Sequence, residues 1–280
     1  RISTGKRASM YEAIVAANYL ETDSDFQQRT IIGGLLLHLT DQFTAIGRIG
    51  YERITDPSIA PIRGPVWSLG GRLALGKSSY AQVEYGHRFG DVSWLAEFDF
   101  ELTPRLVVQG DYKDTLVPIQ LTYLQGIEDL FNEDGILEIP SPRSPGTPDA
   151  TAIDEVIRDK NFQFLARYQI DLRSFELNVR HLERRFLNLQ ETEKTLQFGM
   201  SLDERLSRKL SYVFSANFFE TYAPLVGSPG SQNYRLDLAA RYQLGTNTML
   251  TGGYLWQLES TEDNDDSYEN VLRVGIQRQF

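Results

Sequence analysis

Cysteine is absent from this chain of 280 residues, and histidine and methionine occur only three times each. Without thiols the chain forms no disulfide and holds no metal through cysteine. This suits an envelope protein, which crosses an oxidising compartment before it folds. The histidines, His38, His87 and His181, are too scattered to indicate a metal site. The sequence therefore predicts neither a metal nor a cofactor.

Long apolar runs are also absent. The longest, at 31–39, is far shorter than the roughly 20 residues of a membrane-spanning helix. Mean hydropathy is −0.34. Such values do not exclude a membrane β-barrel, because lipid-facing and lumen-facing residues alternate along its strands and cancel. Residues 1–7 lack the apolar core of a signal peptide, so we expect a mature or trimmed form.

Positive charge is in deficit, and the formal net charge is −10 at pH 7. Nucleic-acid binding depends on a basic surface, so nucleic acid is excluded as a partner. The same negative charge can simply keep a chain soluble, and it identifies no ligand by itself.

What the sequence does contain is a repeated alternation of apolar and polar residues. In segment 233–244, Tyr234, Leu236 and Leu238 lie on one side of an extended strand, and Arg235 and Asp237 lie on the other. About fourteen segments have the length of a membrane-spanning strand, although 28–38 is ambiguous because its apolar residues run on without alternation. They are 11–20, 28–38, 43–53, 66–76, 79–89, 93–102, 105–113, 162–172, 174–184, 195–203, 209–218, 233–244, 248–258 and 267–280.

The connections between these segments alternate in length. Short ones at 40–42, 76–78, 102–105, 172–174, 204–208 and 245–247 alternate with long ones at 54–65, 114–160, 185–194, 220–232 and 259–267. Only 89–92 is short where a long loop is due, and the prolines fall in connections or at their ends. An apolar face could also form the core of a soluble β-sandwich, but this alternation is typical of outer-membrane barrels.

The predicted fold is therefore all-β: an antiparallel transmembrane outer-membrane β-barrel of about fourteen strands. It is predicted to form one domain over residues 1–280, in the Gram-negative outer membrane, with both termini in the periplasm. The chain ends on Phe280, and a terminal aromatic after an alternating strand resembles the insertion signal of such barrels. Predicted partners are outer-membrane lipid, lipopolysaccharide and the barrel-assembly machinery.

The long connection at 114–160 is predicted to lie outside the barrel or to fold into its lumen. Its first part spaces apolar residues at helical intervals, which predicts a short helix that stops near Gly135. A loop this long is usually functional or disordered. We expect the helix to pack in or over the barrel mouth, with Tyr123, Ile127 and Phe131 as candidate gate residues.

The polar sides of the segments carry many charges, which are predicted to line the lumen. Acidic residues concentrate on earlier segments and basic ones on later segments, so that opposed charges could orient polar cargo. The alternative is that these side chains pair across strands and only satisfy the barrel interior. The candidates are Arg48, Arg72, Glu84, Arg88, Glu97, Asp99, Glu101, Asp111, Arg167, Arg180, Arg235, Asp237, Arg241 and Arg273.

Catalytic residues are not predicted. His87 and His181 fall on the apolar side near the outer rim, where some outer-membrane lipases place a histidine, but no serine partner with an orienting asparagine can be named. An acidic stretch from Glu259 to Asp266 could gather divalent cations, but it lacks the spacing and central glycine of a calcium loop. A solvated acidic loop is the simpler interpretation.

Several short motifs resemble one known family. They are Gly50-Tyr51-Glu52, the following segment with Trp67, the run Tyr85-Gly86-x-Arg88-Phe89, and the last strand with Glu269-Asn270 and Phe280. Together they resemble the exosortase (PEP-CTERM) system-associated outer-membrane β-barrel proteins, which are similar to other β-barrel porins. The resemblance covers about residues 45–130 and the last strand. Arg278 departs from it, because an apolar residue is usual two positions before the terminal aromatic. It implies a role in exopolysaccharide export or envelope biogenesis and brings no catalytic residues.

Three functions are compatible with this sequence. The first is a channel for polar cargo, linked by the resemblance to exopolysaccharide export, although lumen aromatics that would stack on sugars are scarce. The second is a structural sleeve that holds a periplasmic export protein or an electron-transfer partner. The third is an enzyme at the barrel rim, which we do not predict.

Overall fold

The computed structural model describes residues 2–3, 10–21, 26–57, 59–76, 78–118, 156–223, 229–245, 247–261 and 264–278. These residues form strands and turns, in one antiparallel sheet whose neighbours follow chain order. The strands are β1 (Ile2–Ser3), β2 (Tyr11–Glu21), β3 (Gln27–His38), β4 (Phe43–Thr55), β5 (Ile62–Ala74), β6 (Tyr80–Arg88), β7 (Asp91–Thr103), β8 (Leu106–Pro118), β9 (Val156–Ile170), β10 (Arg173–Phe186), β11 (Glu191–Arg205), β12 (Leu210–Ala223), β13 (Ser231–Gln243), β14 (Thr248–Thr261) and β15 (Asn264–Arg278).

The prediction of an all-β antiparallel fold with about fourteen long strands is confirmed, because β2 to β15 correspond one to one with the predicted segments. The ambiguous segment 28–38 lies within the regular strand β3, which pairs with β4 over its whole length. Among the described residues, no helix is long and apolar enough to cross a membrane.

The chain divides into two compact units. Unit 1 comprises Arg1–Phe98, Asp111–Asn161 and Arg184–Thr192. Unit 2 comprises Asp99–Gly110, Phe162–Glu183 and Glu193–Phe280. Unit 1 thus contains β2 to β6 entire, and unit 2 contains β12 to β15 entire.

The register of unit 1 separates an apolar face from a polar face. Ile49 lies opposite Trp67, and Gly47 lies opposite Leu69, so these side chains share one face. Ile49 on this face is 71 % exposed. The intervening residues project to the other side because a strand alternates, and there Arg48 lies opposite Ser68. This second side is the polar face of unit 1.

Unit 2 has the same two-sided organisation. Leu236 lies opposite Trp256, and Tyr254 lies opposite Leu272, which is 77 % exposed. On the other side Arg235 lies opposite Gln257, which in turn lies opposite Glu269. An exposed apolar surface of this extent marks contact with lipid or with another protein.

The short connection after β6 is a two-residue turn. Phe89 has φ of 56° and Gly90 has φ of 77°, and two successive positive values define the turn that suits the twist of a hairpin. Glycine adopts this conformation freely, whereas Phe89 adopts it at a steric cost. The sequence marked this connection as the exception to the alternation of loop lengths, and its shortness is confirmed.

Several strands are longer than predicted, so several predicted loop boundaries are wrong. Strands β8 and β9 leave 119–155 between them, where the sequence predicted a connection at 114–160. The predicted loop at 185–194 is a turn at 187–190. Strands β14 and β15 leave only 262–263 between them, where an acidic loop was predicted at 259–267. Polar residues continue these strands beyond the apolar band, where alternation alone gives no end signal. The predicted helix, its gate residues Tyr123, Ile127 and Phe131, and Phe280 lie outside the described residues.

Pro65 was predicted to lie in a loop, but it lies within β5, opposite Tyr51. Proline has no backbone N–H to donate to a neighbouring strand, so it is tolerated where no neighbouring strand needs a donor at that position. The pairing of β5 with β6 begins only at Trp67 and His87. On the β6 side, therefore, no paired residue lies opposite Pro65 to need a hydrogen bond from it.

Candidate functional site

The polar face of unit 1 is organised around Glu84 on β6. Its side chain is 3 % exposed and lies 3.0 Å from the guanidinium of Arg48. Ser68 Oγ and Gln82 Nε2 each donate a hydrogen bond of 2.8 Å to its carboxylate. A buried carboxylate needs such partners, because an unpaired charge away from water is costly. Arg48, Ser68 and Gln82 therefore hold the Glu84 side chain in place.

Glycines make room for this ion pair. Arg48 lies opposite Gly34, and Glu84 lies opposite Gly70. A Cβ at Gly70 would lie 2.1 Å from the carbonyl oxygen of Val83 and 2.7 Å from Cγ of Glu84, so no larger residue fits. The two long side chains therefore extend over bare backbone on the neighbouring strand.

A second charged group lies nearer to the Phe89-Gly90 turn. Glu52, which is 2 % exposed, accepts a hydrogen bond from the backbone N–H of Phe89 and lies 3.7 Å from Nε of Arg88. Within the described part of the chain, Glu52 Oε2 and Arg88 Nε have no hydrogen-bond partner. The guanidinium of Arg88 also lies 4.5 Å from the centre of the Phe89 ring. The hydrogen bond from Phe89 to Glu52 connects the turn to β4. Glu52 Oε2 and Arg88 Nε remain able to form a hydrogen bond with a solute.

Arg48 and Glu84 of the first group and Arg88 of the second line one cavity of about 220 Å³. Its charged lining residues are Arg48, Glu84, Arg88, Lys113 and Asp114. Opposite charges therefore face the same small space, which suits a hydroxyl-rich or zwitterionic solute better than a simple ion.

One end of unit 1 is closed by a buried apolar cluster. Phe26, Ile54, Phe89, Leu116 and Val156 pack together, and each is nearly inaccessible to water. They come from the strand ends next to the connections 22–26, 56–61, 89–90 and 119–155, which we call the long-loop end. The turns at 39–42 and 75–79 mark the short-turn end of unit 1, and those at 104–105, 171–172, 206–209 and 244–247 mark the short-turn end of unit 2.

A buried ion pair lies beside this cluster. Arg158 donates to both carboxylate oxygens of Asp114, at 2.9 and 2.6 Å, and the side chains are 5 % and 1 % exposed. Arg158 also binds Asp91 at 3.0 Å and the carbonyl oxygen of Val92 at 3.0 Å. The sequence reading missed this group, because 114–160 was read as a loop and no local pattern links residues so distant in the chain.

The polar face of unit 2 carries its own pairs. Arg167 binds Glu176 at 2.8 Å, and Gln109 donates to Asp99 at 2.8 Å. Arg235 lies 3.3 Å from Asp237, two residues along the same strand. These contacts agree with the alternative that charged side chains satisfy one another.

A basic cavity lies at the short-turn end of unit 2. Its volume is about 470 Å³, and its charged lining residues are Arg205, Arg208, Lys209 and Arg241. Acidic residues do not line it within the described chain. Four positive charges around one open space attract anions. Of the four, only Arg241 was a predicted lumen residue, because the others fall in or next to a turn.

The predicted lumen residues divide between the units. Unit 1 contains Arg48, Arg72, Glu84, Arg88, Glu97 and Asp111, and unit 2 contains Asp99, Glu101, Arg167, Arg180, Arg235, Asp237, Arg241 and Arg273. Register places Arg48, Arg72 and Glu84 on the polar face of unit 1. It places Arg235, Asp237, Arg241 and Arg273 on the polar face of unit 2.

The predicted acidic wall has partners along much of its length. Tyr80 donates to Glu97 at 2.5 Å, and Lys113 lies 3.2 Å from Asp111. Arg72 lies over the Tyr80 ring, 4.0 Å from its centre. These contacts lie within unit 1 and lower the net field of the wall.

Two of the three histidines have ordinary side-chain partners. His181 lies 2.6 Å from the Tyr222 hydroxyl and stacks on its ring, and His38 Nδ1 lies 2.9 Å from Thr44 Oγ1. Among the described residues, no three metal-ligating side chains lie close enough together to hold a metal ion. Of the acidic stretch, residues 259–261 lie in β14 and 264–266 lie in β15, and Glu259 pairs with Ser267.

Comparisons with known proteins give distant likenesses only. No known family profile matches the chain, and no curated protein sequence matches it significantly. Among solved structures, the outer-membrane channel DcaP of Acinetobacter baumannii is 9 % identical, covers 100 % of both chains and gives a TM-score of 0.46. The anion-selective porin of Comamonas acidovorans is 8 % identical, with 97 % of this chain and 99 % of that chain covered and a TM-score of 0.42.

A third similar structure is a loop-deletion mutant of OmpT, an outer-membrane protein of Vibrio cholerae. It is 10 % identical, covers 96 % of this chain and 98 % of its own, and gives a TM-score of 0.43. Likenesses this distant assign no function, so the proposed function depends on the chain's own side chains.

Proposed function

We propose that this chain is a porin-like channel of the Gram-negative outer membrane that conducts polar solutes. The observation that carries the proposal is the two-sided organisation of each unit, with an exposed apolar face and a polar face that lines a charged cavity. Strands that alternate in this way suit a lipid phase on one side and water on the other. In this proposal the termini are periplasmic, because short turns mark the periplasmic end of such barrels.

The charge of the two cavities supports a specific class of cargo. The basic cavity of unit 2 favours anions, and the mixed charges in unit 1 favour hydroxyl-rich molecules. An acidic oligosaccharide combines both properties. This agrees with the role in exopolysaccharide export implied by the resemblance to the exosortase-associated barrels, which the absence of a matching family leaves as a proposal.

Single-channel recording in a planar bilayer tests the channel. The intact chain should give steady conductance that an oligosaccharide of uronic acids blocks at lower concentration than a neutral oligosaccharide of equal length. A variant lacking residues 119–150 tests whether that segment gates the pore. Silence from both chains, inserted and folded, would contradict the proposal.

A sleeve that holds a partner is the second candidate. The buried cluster of Phe26, Ile54, Phe89, Leu116 and Val156 favours it, because packed apolar side chains at one end of unit 1 leave less open space there. A sleeve predicts no conductance from the chain alone and a stable complex with a periplasmic export or electron-transfer protein after purification.

The remaining partners follow from the location. The barrel-assembly machinery would insert the chain, with Phe280 as part of its signal, and outer-membrane lipid would surround the apolar faces. Deleting Phe280 should slow insertion in cells, and wild-type insertion of the deletion variant would remove Phe280 from this role.

A further inference from the structure

Three arginines lie side by side on the apolar face of unit 1. Arg29 on β3 lies opposite Arg53 on β4, and Arg53 lies opposite Arg63 on β5. Tyr19 on β2 continues this arginine row, opposite Arg29. All three arginines are exposed. Arg53 and Tyr51 are two residues apart on β4, so their side chains lie on the same face. The row therefore borders the exposed apolar band at the long-loop end.

Among the described residues, the three arginines of the row form no salt bridge with a carboxylate. Directly opposite side chains have Cβ atoms about 4.5–5.5 Å apart, and like charges in this position destabilise a sheet. Arg29 contacts Gln27 Oε1 at 3.5 Å and the Tyr19 ring at 5.2 Å. The nearby carboxylate of Glu21 accepts hydrogen bonds from Tyr19 and Gln27. Within the described chain no carboxylate forms a salt bridge with any of the three arginines, so an anion from outside would relieve the repulsion.

An apolar groove lies farther along the same face. Its volume is about 540 Å³, and Val15, Gly33, Gly47, Ile49, Trp67 and Leu69 contribute to its lining. Gly33 lies opposite Ile49, and Gly47 lies opposite Leu69. Because these glycines carry no side chain, the groove has a bare floor. Ile49 is four residues from Arg53, which is about 13 Å along the strand.

We propose that the arginine row and the groove form a binding site for lipopolysaccharide, with lipid A phosphates on the guanidinium groups and an acyl chain in the groove. Guanidinium groups bind phosphate through paired, charge-assisted hydrogen bonds. The long-loop end of an outer-membrane barrel faces the outer leaflet, so lipid A is the phosphorylated lipid within reach. The site rests on the proposed membrane location and does not depend on conduction.

The test is lipid binding to the full chain in detergent without divalent cations. The probe is hexa-acylated lipid A with two phosphates, compared with dephosphorylated lipid A, phosphatidylglycerol and inorganic phosphate. R53Q/R63Q removes two charges from the row. R105Q/R185Q removes two charges from exposed arginines outside the row and is the matched control. G47L fills the groove, where a Cβ would meet only Leu69 Cδ2 at 3.7 Å.

We expect R53Q/R63Q to weaken lipid A binding by roughly tenfold or more, as loss of charge-assisted hydrogen bonds requires. R105Q/R185Q should bind as the wild type does, and G47L should bind more weakly. Without lipid A, R53Q/R63Q should melt at a higher temperature than the wild type, because the repulsion is relieved.

Several outcomes would overturn the site. Equal binding of lipid A by R53Q/R63Q and its control would show that the arginine row does not bind lipid A. Undiminished binding of dephosphorylated lipid A would show the same for its phosphates. Equal binding of phosphatidylglycerol, or competition by inorganic phosphate alone, would remove the assignment to lipid A. Conductance separates the two proposals: a silent wild-type chain that loses lipid A only in R53Q/R63Q keeps the site and loses the channel.

Discussion

Breaking the buried Arg158–Asp114 pair should destabilise the protein more than any other charge substitution in unit 1. In R158M, the Asp114 carboxylate would stay 1 % exposed and lose both of its short contacts. Removing one member of a buried pair costs about 3–5 kcal/mol, because the remaining charge is neither hydrated nor neutralised. Half of a typical domain's stability could be lost in this way.

Two comparisons separate this effect from the loss of any charge. Asp91 also binds Arg158, but its side chain is 55 % exposed, so D91N should cost about 1 kcal/mol or less. R185M, at an exposed arginine of β10, should have almost no effect. The double variant D114L/R158M replaces both charges by apolar groups and should recover most of the stability lost in R158M.

Urea titration of the folded chain in detergent measures these differences. The tryptophans report unfolding, since Trp67, Trp94 and Trp256 lie within strands. The midpoint should fall in R158M at an unchanged slope and return in D114L/R158M. Equal midpoints for R158M and D91N, or a double variant weaker than both singles, would refute the account of Arg158 and Asp114 as an electrostatically coupled pair.

Three further predictions concern the polar faces. G70A should lose about 3 kcal/mol of folding free energy or fail to fold, because a Cβ at Gly70 would lie 2.1 Å from a backbone oxygen. G64A should fold normally, because a Cβ there meets nothing within 4 Å. Heat-modified gel mobility compares the two variants. R208Q/R241Q should lower the anion preference of the channel, measured as reversal potential in a salt gradient, and an unchanged potential would exclude the basic cavity from the pore. E84Q should leave Arg48 partly unpaired, which costs about 1–3 kcal/mol by urea titration, and a midpoint equal to the wild type would mean that the pair contributes nothing.

The strands and faces could be predicted from the sequence because they are local. Alternation such as Tyr234-x-Leu236-x-Leu238 fixes the face of each residue, whatever its neighbours. Glycine, asparagine or aspartate marks four of the six short turns, at 39–42, 75–79, 171–172 and 244–247. At the long-loop end, polar residues continue the strands past the apolar band, so the boundaries near 114–118 and 259–267 could not be read from alternation.

The pairs on the polar face could be predicted only as candidates. Arg48 and Glu84 were both named as lumen residues, but the sequence does not say that they meet. Glu84 needs the glycine opposite it, because a Cβ at Gly70 would lie 2.7 Å from Cγ of Glu84. A glycine in a strand therefore carried information about the residue opposite it, and that partner is known only from the register.

The arginine row shows what register adds. The sequence reading placed Arg53 at the end of a segment and Arg63 in a loop, so neither was a candidate. The connections at 39–42 and 56–61 set the offsets that bring Arg29, Arg53 and Arg63 into one row. A slip of one residue would turn one arginine to the opposite face, because side chains alternate with a period of two. Three separate arginines thus become one anion site only through the lengths of two connections, neither of which carries any charge pattern that predicts the row.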